Sequence, residues 1–159
     1  MSTAIPSRPR QIGQRRTFAF VASQYNSEFV NGLVEHARRE LEAISPSFNI
    51  LTHEVPGAFE IPLVAQEVAA RGGIDAIIAL GVIIEGETQH AALIAKAVTD
   101  ALMKISLEQR LPVIHEVLLL KNEAQAKARC LEDEINRGTE AARTAARMVQ
   151  TLSSLRSAR

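Results

Sequence analysis

Two short segments of this chain carry residue types that could do chemistry on a small, flat, phosphorylated molecule. The first is Gly81–His90 (GVIIEGETQH), which leaves an apolar run, turns at Gly86 and enters a helix at Thr88. A corner of this kind aims free backbone N–H groups and the positive end of the helix dipole at a ligand, which favours a phosphate. The Thr88 hydroxyl could cap the helix and also reach the anion. His90, in the first turn, could titrate near neutral pH and move protons. The plain alternative is a capping threonine and a surface histidine.

The second segment, Val55–Pro62 (VPGAFEIP), has the same strand–turn–helix character. An aromatic such as Phe59 can stack on a flat ring, and the Glu60 carboxylate can accept from ring N–H groups. Otherwise they are a core phenylalanine and a glutamate that suits the helix dipole. Tyr25-Asn26 follows the first strand and faces the same crevice, unless Tyr25 only packs. Arg129, in a helix rich in Ala and Lys, reads alone as a solvated charge. His115 lies in an apolar strand and reads alone as a satisfied core or interface histidine. Its neighbour Glu116 is hard to bury unpaired, so the outer end of that strand should meet a partner or solvent.

These pieces form no familiar catalytic device. There is no Gly-x-Gly-x-x-Gly loop, no Gly-Lys-Ser/Thr phosphate loop and no Gly-x-Ser-x-Gly elbow. Four isolated histidines and one cysteine argue against a zinc site. Cys130 cannot make an internal disulfide, which fits a reducing cytoplasm, and it reads as a packing thiol. What remains is a phosphate cradle, an aromatic shelf, a carboxylate and one proton-transfer histidine. That set suits condensation of phosphorylated small molecules without metal or cofactor.

The elements that must position them alternate. Strands are expected at Thr17–Ala22, Phe48–Val55, Ile74–Ile84 and Pro112–Leu120. The third is a near-continuous apolar run, as befits a central strand covered on both faces. Val30, Leu33, Val34, Ala37, Leu41 and Ile44 make an amphipathic stripe that should stop near Ser45, before Pro46. Further helices are expected at about 59–70, closed by Gly72-Gly73, and at about 89–108, with Ile94, Ala97, Val98, Ala101, Leu102 and Ile105 inward. Two more follow at about 122–134 and 139–153, with Arg137-Gly138 as the break. Strand–helix alternation implies parallel strands and right-handed crossovers. The expected fold is a three-layer α/β/α sandwich on a four-stranded parallel sheet, with ligands at the carboxyl ends of the strands.

The chain has 159 residues, 47% of them hydrophobic, which suits one compact domain over 17–159. The 18 basic and 18 acidic residues cancel, so no nucleic-acid partner is expected. Residues 1–16 nevertheless form a basic arm with Arg8, Arg10, Arg15, Arg16 and no acid. Such an arm could touch RNA, an acidic partner or a neighbouring subunit, or simply be a solvated terminus. It lacks the apolar core of a secretory signal, and no apolar run reaches the roughly 18 residues of a membrane helix.

VPGAFEIP and the GVII-x-GET-x-H frame, with the spacing between them, resemble the two signature segments of the lumazine synthase family. Pro112-Val113-Ile114, the closing Arg-Gly-x-Glu-Ala-Ala at 137–142 and the strand order over about 17–152 resemble it too. The resemblance implies a flavodoxin-like, lumazine synthase-type fold. It also implies the penultimate step of riboflavin biosynthesis: condensation of 5-amino-6-(D-ribitylamino)uracil with 3,4-dihydroxy-2-butanone 4-phosphate. By that resemblance Tyr25 and Asn26 meet the pyrimidine, and Ala58, Phe59 and Glu60 hold the ring and ribityl chain. Val82, Ile83 and Ile84 line the pocket. Gly86, Glu87, Thr88 and Arg129 bind phosphate, and His90 transfers protons. His115 is supplied by the neighbour in a homo-oligomer built from pentamers with sites between subunits, and riboflavin synthase is a further partner the family admits.

The chain departs from the family pattern at Glu85 (usually Arg), Gln89 (often Pro or Thr) and His115-Glu116 (commonly Phe-Gly). After Arg129 an acidic run stands where a Gly- and Lys-containing turn is frequent. Added acids near a phosphate site should weaken anion binding. They motivate an alternative: a catalytically weakened paralogue that only assembles a shell or binds a flavin-like ligand. Offering both substrates to the protein separates the two readings. A flavodoxin-like signalling domain is a third, and it would be expected to work as a monomer.

Overall fold

The computed structural model describes residues 6–9, 15–45 and 47–158, so Arg10 and Pro46 lie outside the described residues. Four strands form one parallel sheet: β1 (Arg16–Ser23), β2 (Phe48–Val55), β3 (Ala76–Ile84) and β4 (Val113–Leu120). Their order is β2-β1-β3-β4, so the chain starts in the middle, adds one neighbour, crosses back and builds outward. The reversal of winding falls between β1 and β3, whose registers pair Phe18 with Ala76 and Ala22 with Leu80. A crevice opens at such a point beyond the strands' carboxyl ends.

Side-chain alternation assigns the two faces. Phe18, Phe20, Ile78, Leu80 and Leu118 point to one layer, made by α1 (Ser27–Ile44), α4 (Glu123–Cys130) and α5 (Arg137–Ser157). Ala19, Val21, Ile77, Ala79 and Val117 point to the other, made by α2 (Ile61–Arg71) and α3 (His90–Gln109). Both faces of β1 and β3 are covered, which is why β3 is apolar throughout and β1 from Phe18 to Ala22. The edge strand β2 alternates instead and leaves Leu51 exposed. At the opposite end of the sheet, Asp75 accepts from the Thr17 N–H (2.7 Å) and from Arg16 (2.9 Å), tying the entries of β1 and β3 together.

Three details differ from expectation. Arg137-Gly138 is not a break but the first turn of α5. Asn136 accepts from the N–H groups of Gly138 (2.9 Å) and Thr139 (3.3 Å) and starts the helix there. Glycine is needed at 138 because a Cβ would run into the Leu33 carbonyl of α1, so it serves close helix packing, not chain reversal. The fourth helix stops at Cys130, not near 134. Ala97 of α3 is exposed; the helix buries only Val98, Leu102 and Ile105 and turns Leu93, Met103 and Leu107 outward.

The described part of the basic arm lies against its own chain. Glu40, 6% exposed on α1, accepts from Arg8 (2.8 Å) and Arg143 (2.7 Å). Arg143 also reaches the Pro6 carbonyl (2.8 Å). The guanidinium hydrogen bonds hold the Glu40 carboxyl below its ordinary pKa.

Candidate functional site

The crevice at the winding reversal holds a cavity of about 490 Å³. Four segments reach it. From the β1–α1 turn come Tyr25 and Asn26, and from the β2 exit come Gly57, Ala58, Phe59 and Glu60. The end of β3 supplies Val82, Ile83 and Ile84, and α3 supplies His90 and, one turn later, Ile94.

Local chemistry shapes each corner. Asn26 adopts a left-handed conformation (φ 57), which Asn tolerates better than most residues. Its side chain does not cap α1 but donates to the Val82 carbonyl at 2.8 Å, pinning the β1 exit to β3. Backbone bonds from Gln24 N–H to Val55 O (2.8 Å) and Tyr25 N–H to Pro56 O (3.1 Å) lash the β1 and β2 exits together. A Cβ at Gly57 would sit 2.9 Å from the Glu60 carboxylate and 3.0 Å from the Tyr25 ring, so the glycine leaves both side chains free to stand as they do. The chain then makes a 3-10 turn over Ala58–Glu60 before α2 begins with Pro62 in its first turn. That turn leaves Phe59 61% exposed at the cavity, which Tyr25, at 70%, also lines. Large aromatics so exposed at a concave site are available to a flat ligand.

The loop at 85–89 is tied down by the Glu85 N–H bond to the Leu120 carbonyl (2.8 Å). The helix starts slightly later than expected, with Gln89 at its N-cap, and the Thr88 hydroxyl accepts from the His90 N–H at 3.4 Å. Gly86, Glu87 and Thr88 are exposed beside His90 and do not line the cavity wall. Glycine at 86 has open space around its Cβ position and a φ outside the left-handed region, so the corner itself does not demand it.

Arg129 and His115 do not line this cavity. Arg129 is half-buried on α4, and His115 sits on β4, where Thr99 of α3 contacts its ring. Glu116, on the opposite face of β4, is 8% exposed. Burial and the nearby Glu140 push its carboxyl up to about 8 against the pull of Arg137, which pairs with Glu140. Cys130 is fully buried and its thiol is pushed up to about 12, mainly by desolvation, so it is no nucleophile at neutral pH. Among the described residues no group of three or more His, Cys, Asp or Glu could hold a metal ion, and no helix is long and apolar enough to cross a membrane.

A crevice with two exposed aromatics, a carboxylate and a helix-borne histidine suits condensation chemistry. A family model described as 6,7-dimethyl-8-ribityllumazine synthase matches residues 15–153. The chain belongs to that family. A 6,7-dimethyl-8-ribityllumazine synthase of Polaromonas sp. (strain JS666) is 36% identical over 144 residues, covering 90% of this chain and 91% of the relative. Synthases of the same name from Paraburkholderia phymatum and Burkholderia vietnamiensis are each 38% identical over 141 residues, 88% of this chain, and 80% and 81% of the relatives. The matched segment spans every strand, so the whole crevice lies inside the family's frame. Sequence reading missed two lining residues. Gly57 carries no role of its own in the sequence, although it lies in the VPGAFEIP turn. Ile94 was placed in the core stripe, although its position four residues after His90 puts both on one helix face.

Proposed function

We propose that this cavity carries out the lumazine synthase condensation with the following division of labour. The uracil ring lies between Tyr25 and Phe59, with Asn26, Ala58 and Glu60 on its polar edges and ribityl chain. Val82, Ile83 and Ile84 form the floor. The sugar phosphate seats at Gly86, Glu87 and Thr88, before the amino end of the 20-residue α3, whose dipole favours the anion. The primary amine of the pyrimidine attacks the butanone carbonyl and water leaves to give the imine. Phosphate is then eliminated, the ribitylamino nitrogen closes the ring, and a second water is lost. His90 takes and returns the protons that these steps move. Holding both reactants in one crevice supplies much of the rate.

Charge supports a site completed by another copy of the chain. The cavity lining contains Glu60 and His90 but, among the described residues, no Lys or Arg. A phosphate dianion leaving there needs a cation, and Arg129 of the partner subunit is the candidate, with the partner's His115 meeting the pyrimidine. The exposed Leu93, Met103 and Leu107 of α3 and Leu63 of α2 are the apolar surface that such packing covers. A homo-oligomer built from pentamers, acting in the cytoplasm and able to pass its product to riboflavin synthase, is the assembly we infer.

The observation that carries this reading is the meeting of the four segments at one crevice, with His90 beside the anion corner. Given both substrates and no added metal or redox cofactor, the purified chain should produce the absorbance of the lumazine. Phe59→Ala should raise KM for the pyrimidine about tenfold or more, as loss of a ring stack worth on the order of 1 kcal/mol plus buried area implies. Absence of product from the wild-type chain would overturn the assignment.

A further inference from the structure

Outside the crevice, hydrogen bonds to both ring nitrogens fix the protons of His115. Two hydrogen bonds meet at His115, and a third continues from its Thr99 partner. The Val117 backbone N–H points to Nδ1 at 3.3 Å. Nε2 lies 2.7 Å from the Thr99 hydroxyl oxygen. The same hydroxyl is 2.7 Å from the Ala95 carbonyl, one turn back on α3.

The direction of each bond follows by elimination. A backbone N–H can only donate, so Nδ1 must be bare. A carbonyl can only accept, so the single Thr99 hydroxyl hydrogen goes to Ala95. The Thr99 oxygen must then accept, and Nε2 must carry the proton. The imidazole is neutral, in one tautomer, with both nitrogens engaged. Protonating it at Nδ1 would break the bond from Val117, and partial burial lowers its pKa in the same direction.

We propose that Thr99 is a positioning residue that locks His115 as the neutral Nε2–H tautomer, so that only the face of the ring remains to meet a flat ligand. A side chain held this way acts as a stacking surface and not as an acid or base. Its place in catalysis rests on the reading above, in which His115 reaches a neighbouring copy's cavity. The lock itself does not depend on that reading.

The test uses the assembled full-length protein with isotope-labelled histidine and magic-angle-spinning NMR near neutral pH, where particle size is no obstacle. The His115 signals are identified by their loss in His115→Phe. The wild-type chain should show a single Nε2–H tautomer there. Thr99→Val, which keeps the shape and removes the hydroxyl, should give a mixture of tautomers, and Thr99→Ser should restore one. A wild-type ring that is Nδ1–H or doubly protonated, or a Thr99→Val ring unchanged from wild type, overturns the lock. Kinetics address the connected reading. Thr99→Val should raise KM for the pyrimidine severalfold with little change in kcat, and His115→Ala should raise KM further. A broken lock with unmoved KM supports the Thr99 assignment and overturns the placement of His115 at a neighbour's substrate. An unmoved KM in folded His115→Ala overturns the stacking role.

Discussion

At the scale of single residues, two ionisable groups separate function from stability. His90 lines the cavity at the start of α3, and we propose that it exchanges protons with the bound substrate. His90→Ala should therefore lower kcat by on the order of a hundredfold while KM changes little, measured by steady-state turnover. Glu116 acts on folding instead. Its folded-state pKa, about 8, exceeds the ordinary value of 4.5, so between those values the folded chain binds more protons than the unfolded one. Stability is then fully present below pH 4.5 and is lost as pH rises through about 8. Glu116→Gln removes the charge and keeps the shape. Its thermal midpoint should match wild type in acid and exceed it by several degrees near pH 8, as followed by circular dichroism across pH. The chemistry-bearing residues around the cavity were readable because each sits within a few positions of a strand's end. Arg129 and His115 could not be placed by such logic, since neither lies at a corner of the crevice.

At the scale of elements, hydrophobic periodicity located all four strands and the layers around them. The apolar run through β3 and the stripe on α1 each had one physical explanation, burial on two faces or on one. Boundaries failed where glycine served packing. Gly138 looks like a helix terminator, yet it lies inside α5 because the Leu33 carbonyl of α1 occupies the space that a Cβ would need. Sequence alone cannot separate these uses, since both ask only for the missing side chain. Ala141, Ala142 and Ala145 continue the close approach of α5 to the core. Gly138→Ala should force the helices apart and cost about 1–3 kcal/mol or more, read by denaturant unfolding. Asn136, fully buried with its side chain capping α5, marks where the helix begins.

At the scale of the whole molecule, the sheet order puts one crevice at one end of the sandwich, and among the described residues its lining holds no Lys or Arg. If a neighbour supplies Arg129, two inactive variants can repair each other. His90→Ala and Arg129→Ala, each nearly inactive alone, should regain part of wild-type turnover when co-assembled, because some interfaces then join an intact histidine to an intact arginine. Recovery no greater than the sum of the separate variants would mean that each copy works alone. Assembly of that kind also gives Cys130 a use for the experimenter. The thiol is completely enclosed where α4 meets α1 and stays protonated through neutral pH. A disulfide reagent therefore reaches it only when that enclosure opens, so the rate of modification times the opening of the α1–α4 layer, subunit by subunit, without any label having been engineered in.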